Sequence, residues 1–291
     1  MLSENTLLKT AIFWIRDGVL IDRMSVNAVA FAVAWANAFR SGESASFSLT
    51  ALVNFAFATS GISCAEKMHQ LNVANSIASD NVQLSVDFYN QLAAEAGKHC
   101  QYFAGAPQLL EKAHDLGVLN FITSAVEQTV LDRWGASDQA LSIAPYLAEI
   151  LGWRSTDFCK GAGHFEYVRK HYGVERIIYV ADAVAEIASG FQYGHTFGVV
   201  PVGFAALISR EKVMHAFTLV LQAQRDLGLT QPGGCIFSIE PDSLSLPNQD
   251  QLDWSLKNAG AARLVSGSAD RIMSNLEELL VTEILPQSKN I

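Results

Sequence analysis

The sequence predicts an α/β protein: a doubly wound parallel sheet accompanied by a small all-helical domain. Apolar runs with the length of buried strands, at Ala11–Ile15, Val118–Thr123 and Arg176–Ala181, alternate with helical patterns. Residues 24–103, directly after the first run, carry helical periodicity and no strand signal. With 291 residues, half of them apolar and 17% charged, the chain can bury a large core.

The elements follow in order. Arg16, Asp17 and Gly18 close the first strand, and a helix is expected from Met24 to Phe39, where Val26, Val29, Phe31, Val33 and Trp35 make a broad apolar surface. Arg40, Ser41 and Gly42 end it, and Ser46 and Ser48 suit capping positions before the helical segment of Leu52, Val53, Phe55 and Phe57. Further helices are predicted from Ala65 to Leu71 and from Asp80 to Ala96. A helix from Pro107 stops at Gly117, the second strand is Val118–Thr123, and a helix from Val126 to Trp134 continues as a helical stretch towards Lys160.

The helix His164–His171 precedes the third strand, Arg176–Ala181, which ends at Asp182. A helix through Ile187 leads to a fourth strand, Thr196–Val202. Glu211–Leu227 is an amphipathic helix, Pro232–Gly234 a turn, Cys235–Ile239 strand-like, and 240–251 a polar loop. Leu252–Ala259 reads as helix, Ala262–Val265 as a short last strand and Ala269–Ile284 as a closing helix. The expected organisation is an α/β core from residues 1–23 and 104–291, with 206–251 as an insertion, and a helical domain over 24–103.

A net charge of −9 and a pI of about 5.2 argue against a nucleic-acid or anionic-membrane surface. Cys64, Cys100, Cys159 and Cys235 are widely spaced, without metal-ligand patterns, and read as isolated thiols. No apolar segment approaches the roughly 20 residues that span a bilayer, and the first residues lack a signal-peptide pattern, so a cytoplasmic location is expected.

The stretch Thr10 to Asp22 reads TAIFWIRDGVLID. A carboxylate just past the carboxyl end of an inner strand stands where open α/β sheets bind ligands. This stretch resembles the first motif of the haloacid dehalogenase-like (HAD) superfamily, Asp-x-Asp-Gly-(Thr/Val)-(Leu/Ile). Asp17, Gly18, Val19 and Leu20 match its second half, whereas the first Asp, the family's nucleophile and a magnesium ligand, falls on Ile15. Thr123, with Ser124 beside it, matches the family's phosphoryl-binding hydroxyl at a strand end. Lys160 matches its phosphate-neutralising lysine, and Asp182, with Glu186 after it, matches its magnesium-holding acid. Residues 24–103 resemble the helical cap of the phosphoglycolate phosphatase and β-phosphoglucomutase branch.

With all its motifs present, the resemblance implies a carboxylate that attacks phosphorus and an Asp two residues on that serves as acid and then base. Magnesium and lysine would stabilise the transition state. Ile15 has neither a nucleophilic atom nor a metal-binding oxygen, and Asp17 cannot replace it because Val19 lies two residues beyond. The expectation is therefore a non-hydrolytic pseudoenzyme that binds a small phosphorylated or anionic metabolite, or a protein partner. The alternative is a magnesium-dependent hydrolase of a phosphorylated small molecule in which Asp17 or Asp182 activates water.

Arg16 adds a cation close to the position of the metal, and the segment 206–251 and the alanine-rich helices suit a homo-oligomeric or partner interface. Simpler roles fit the same residues. Ile15 suits a core position, Asp17 a turn before Gly18, and Thr123, Ser124 and Asp182 helix caps. Lys160 suits a surface, and His164, His171 and His195 have no metal spacing.

Overall fold

A computed structural model describes residues 9–39, 46–77, 82–229 and 236–284. The expected chain reversals at 40–42 and 232–234, the helix start at Asp80, and Cys235 lie outside these residues. From the amino terminus the elements are β1 (Thr10–Ile15), α1 (Met24–Phe39), β2 (Ser46–Ser48), α2 (Thr50–Ala58), α3 (Cys64–Ala74), α4 (Val82–Gly97) and α5 (Ala106–Asp115). There follow β3 (Leu119–Glu127), α6 (Gln128–Gly135), α7 (Asp138–Leu141), β4 (Glu149–Trp153), α8 (Ala162–Tyr172), β5 (Arg176–Ala181), α9 (Val184–Gln192), α10 (Gly194–Phe197) and β6 (Val199–Ala206). The remainder comprises α11 (Arg210–Asp226), β7 (Ile236–Ser238), α12 (Gln249–Asn258), β8 (Arg263–Gly267) and α13 (Ile272–Leu279).

The chain forms two compact units. Met1–Ile21, Tyr102–Leu207 and Asn248–Ile291 make the first; Asp22–Gln101 and Ile208–Pro247 make the second. The first unit carries a six-stranded sheet in the order β4-β3-β1-β5-β6-β8. Every pairing in it is parallel. All six residues of β1 are buried, as its near-continuous apolar sequence requires of an inner parallel strand. On one face Phe13 stacks on Phe121 with ring centroids 5.3 Å apart and meets Phe165 of α8 edge-on at the same separation. Phe165 in turn meets Tyr179 of β5 edge-on. These contacts tie β1, β3 and β5, three of the four inner strands, to one helix.

The opposite face is pinned by a buried polar residue. Asn120 of β3 accepts a hydrogen bond from Trp14 Nε1 at 3.0 Å. Its amide donates to the carbonyl oxygens of Leu110 and Tyr146, each at 3.0 Å. One side chain thus joins β1, the middle of α5 and the approach to β4, and its polar atoms are satisfied in a place where an orphaned group is costly.

The second unit is built around α1, which buries twelve of its sixteen residues. A helix apolar on nearly all sides belongs inside a bundle, and α2, α4 and α11 pack around it. Trp35 Nε1 donates to Asn72 Oδ1 of α3 at 2.9 Å, and Gln224 of α11 donates to Asn37 at 3.3 Å.

Four features differ from the sequence reading. Ser46 and Ser48 belong to a three-residue strand, β2, paired in parallel with β7, and are not helix caps. This strand is completed by residues about 190 positions away, so no local pattern marks it. The segment 206–251 contributes α11 and β7 to the helical unit, where Thr50 Oγ1 accepts from the Glu240 amide at 2.9 Å and Asn54 Oδ1 from the Ser245 amide at 2.9 Å. In the sheet unit, Glu149–Trp153 is an edge strand inside the expected helical stretch. The fourth long strand starts only at Val199, after the short helix Gly194–Phe197, because Gly198 turns the chain with a φ of +62°.

The threefold use of Asn120 yields a stability prediction. Asn120→Ala leaves the Trp14 indole N–H without its acceptor and takes a donor from the Leu110 and Tyr146 carbonyls. It is expected to lower the free energy of unfolding by about 2–4 kcal/mol, read from urea denaturation with the slope unchanged.

Candidate functional site

All the residues singled out above for chemistry lie in the sheet unit. Parallel register sets their positions: Ile15 pairs with Thr123, Trp14 with Val180, and Asp182 follows the last residue of β5. The carboxyl ends of β1, β3 and β5 therefore converge where the strand order reverses, the usual ligand position in an open α/β sheet.

After Ile15 the chain doubles back at once. The Leu20 amide donates to the Ile15 carbonyl at 3.2 Å, Ile21 to Arg16 at 2.9 Å, and Gly18 to Ile21 at 2.9 Å. Gly18 adopts a φ of +97°, and a Cβ there would stand 2.7 Å from Asp182 Cγ. Only glycine supplies both the left-handed backbone and the room for this carboxylate. Ile15 is 4% exposed, a hydrocarbon at the end of the central strand.

The charges are arranged as pairs. Arg16 donates through Nε and Nη2 to the two oxygens of Asp17, each at 2.8 Å, in the fork geometry of a strong charge-assisted pair. Arg16 is 5% exposed, and its guanidinium lies 5.4 Å from the Trp134 ring centroid. Lys160, just before α8, pairs with Glu186 in the first turn of α9. Glu186 is 8% exposed, and its second oxygen, Oε2, has no hydrogen-bond partner. Asp182 is recessed with some surface accessible. Burial, and after it the charge of Glu186, push its carboxyl well above the usual carboxylate range, against the opposing pull of Lys160.

Thr123 is fully buried and its Oγ1 lies 2.7 Å from His164 Nδ1. The other ring nitrogen of His164, Nε2, is 3.1 Å from the Gly152 carbonyl of β4. A carbonyl can only accept, so Nε2 carries the proton, Nδ1 accepts, and Thr123 donates. The one hydroxyl proton of Thr123 is thereby committed to the histidine. Burial holds His164 neutral, with its pKa lowered to about 4. The strand itself continues past Thr123. Glu127 next pairs with Trp153, so four steps on β3 oppose two on β4, and the intervening bulge carries Ser124. Ser124 accepts the Val126 amide at 3.2 Å, and the helix expected from Val126 begins at Gln128.

Sequence reasoning brought Asp17, Thr123, Ser124, Lys160 and Asp182 to one end of the sheet. It missed the part of His164, which lies 41 residues from Thr123 on an element with no metal or catalytic spacing. It also gave Glu186 no part in holding Lys160 and Trp134 none in holding Arg16. No local signal marks either as the partner of a site cation.

No protein-family model and no curated protein match the chain. Solved structures do. A hydrolase from Pseudomonas syringae is 15% identical with a TM-score of 0.55, over 93% of this chain and 99% of that one. A HAD family hydrolase from Deinococcus radiodurans, determined with bound phosphate and sodium, is 15% identical with a TM-score of 0.52, over 97% of each chain. A predicted phosphatase from Clostridium acetobutylicum is 13% identical with a TM-score of 0.51, over 95% and 99%. At this identity the likeness defines the fold: a Rossmann-like α/β core of the kind found in the HAD hydrolases.

Two measurements check this geometry. Gly18→Ala is expected to destabilise the protein by about 1–3 kcal/mol, the scale of a strained backbone position, in a chemical denaturation series. For His164, whose folded pKa of about 4 lies below the ordinary 6.5, the folded state refuses a proton that the unfolded chain accepts. Its contribution is complete above pH 6.5 and is lost as pH falls towards 4, by roughly 3 kcal/mol in all. Wild type should therefore lose stability relative to His164→Gln across that window.

Proposed function

We propose that this protein is a non-hydrolytic relative of the HAD phosphatases that binds a small anionic ligand at the carboxyl ends of β1, β3 and β5. The observation that carries the proposal is Ile15, a buried hydrocarbon two residues before Asp17, where the resemblance puts the attacking carboxylate. Without a nucleophile there is no aspartyl-phosphate to form. Thr123 adds support, because its proton goes to His164 and its Oγ1 can only accept further bonds. Ser124, in the bulge of β3, and the remaining N–H groups of Lys160 are the donors left to meet an anion.

The hydrolytic alternative asks Asp17 or Asp182 to take a proton from water. Asp17 already gives both oxygens to Arg16, and burial and the charge of Glu186 disfavour the ionised form of Asp182 that would have to take the proton. The test is phosphate release from a panel of phosphate monoesters with magnesium, for wild type and Asp182→Ala prepared identically. No release, or equal traces in both, is expected. Turnover by wild type that disappears in the variant would overturn the proposal.

A further inference from the structure

We infer that Asp17, after β1, and Glu186, in the first turn of α9, are neutralised by the chain's own cations, Arg16 and Lys160, and that this site admits no divalent metal. The inference concerns the metal alone and stands whether or not a phosphate ester is hydrolysed. The fold family implies magnesium, a hard cation that demands near-octahedral oxygen coordination and sheds water reluctantly. The oxygens here do not fit that demand. Both oxygens of Asp17 receive N–H bonds from Arg16 at 2.8 Å. The guanidinium is buried and packed over Trp134, so it cannot withdraw without losing both partners.

One Glu186 oxygen is taken by Lys160. Glu186 Oε2 is buried and unpaired, yet it is a single oxygen beside an ammonium group, an environment suited to a hydrogen-bond donor and hostile to a second positive charge. Ile15 contributes no side-chain oxygen. Among the described residues, no group of three or more His, Cys, Asp or Glu side chains is arranged to hold a metal. Two fixed cations, Arg16 and Lys160, stand against the three carboxylates of Asp17, Asp182 and Glu186, so a divalent ion would meet at most one net negative charge and would enter between like charges.

The experiment is a titration of the full-length protein with Mn²⁺, an octahedral stand-in for magnesium, followed by the electron paramagnetic resonance of the free ion. Wild type is expected to leave Mn²⁺ free into the millimolar range. Arg16→Met, which releases Asp17, should bind it about tenfold more tightly or better. Lys160→Met, which releases Glu186, serves in the same way should the first variant fail to fold. Mn²⁺ bound by wild type and lost in Asp182→Asn would overturn the inference, as would folded Arg16→Met and Lys160→Met proteins that bind no better than wild type. Binding by wild type that survives Asp182→Asn would lie elsewhere on the chain and leave this site metal-free, as inferred.

Discussion

The central strand β1 constrains everything around it. It is buried along its whole length between β3 and β5, and its two faces demand different partners. Phe13 needs the aromatic cluster of Phe121 and Phe165, and Trp14 needs a hydrogen-bond acceptor, supplied by Asn120. A slip of one residue would exchange the two faces, placing the indole N–H among hydrocarbon rings and leaving Asn120 Oδ1 without its donor. The register is therefore strongly specified, and with it the groups at the carboxyl ends of the strands. Ile15 faces Thr123 and Asp182 stands beside the turn at Gly18 because β1 cannot sit otherwise.

Most polar groups in that place are served by one another, Glu186 Oε2 excepted. Arg16 holds Asp17, Lys160 holds Glu186, and Thr123 donates to His164, which is anchored in turn on the Gly152 carbonyl. Buried ions are costly unless paired, and the pairs seen here leave little for an incoming ligand to neutralise. In the proposed non-hydrolytic role such a site would act through hydrogen bonds and shape, since chemistry requires groups whose charges or lone pairs are held in readiness.

The parts of the fold legible in the sequence were those whose signal is local. The apolar runs of β1, β3 and β5 stand out because an inner parallel strand is buried on both faces and must be apolar throughout. The long helices carry their own periodicity. Short strands escaped. Glu149–Trp153 lies at the edge of the sheet and mixes charge, glycine and apolar residues. Ser46–Ser48 is a strand only because Ile236–Ser238 lies alongside it. The extension of β3 to Glu127 depends on a bulge against β4 that no run of residues announces.

The sequence by itself determined the parallel α/β class, the central strand, and the identity of the residues at its end, including a hydrocarbon at Ile15 two residues before Asp17. These are properties of single positions and short periods. Only the tertiary structure decided which charges meet, which hydroxyl is already engaged, and which unit the segment around α11 joins. The physical reason is distance along the chain. A hydrogen bond or ion pair needs a few ångströms between atoms, and the partners of Thr123, Lys160 and Thr50 lie 41, 26 and 190 residues away. Packing chooses such partners, and a linear pattern cannot encode them locally.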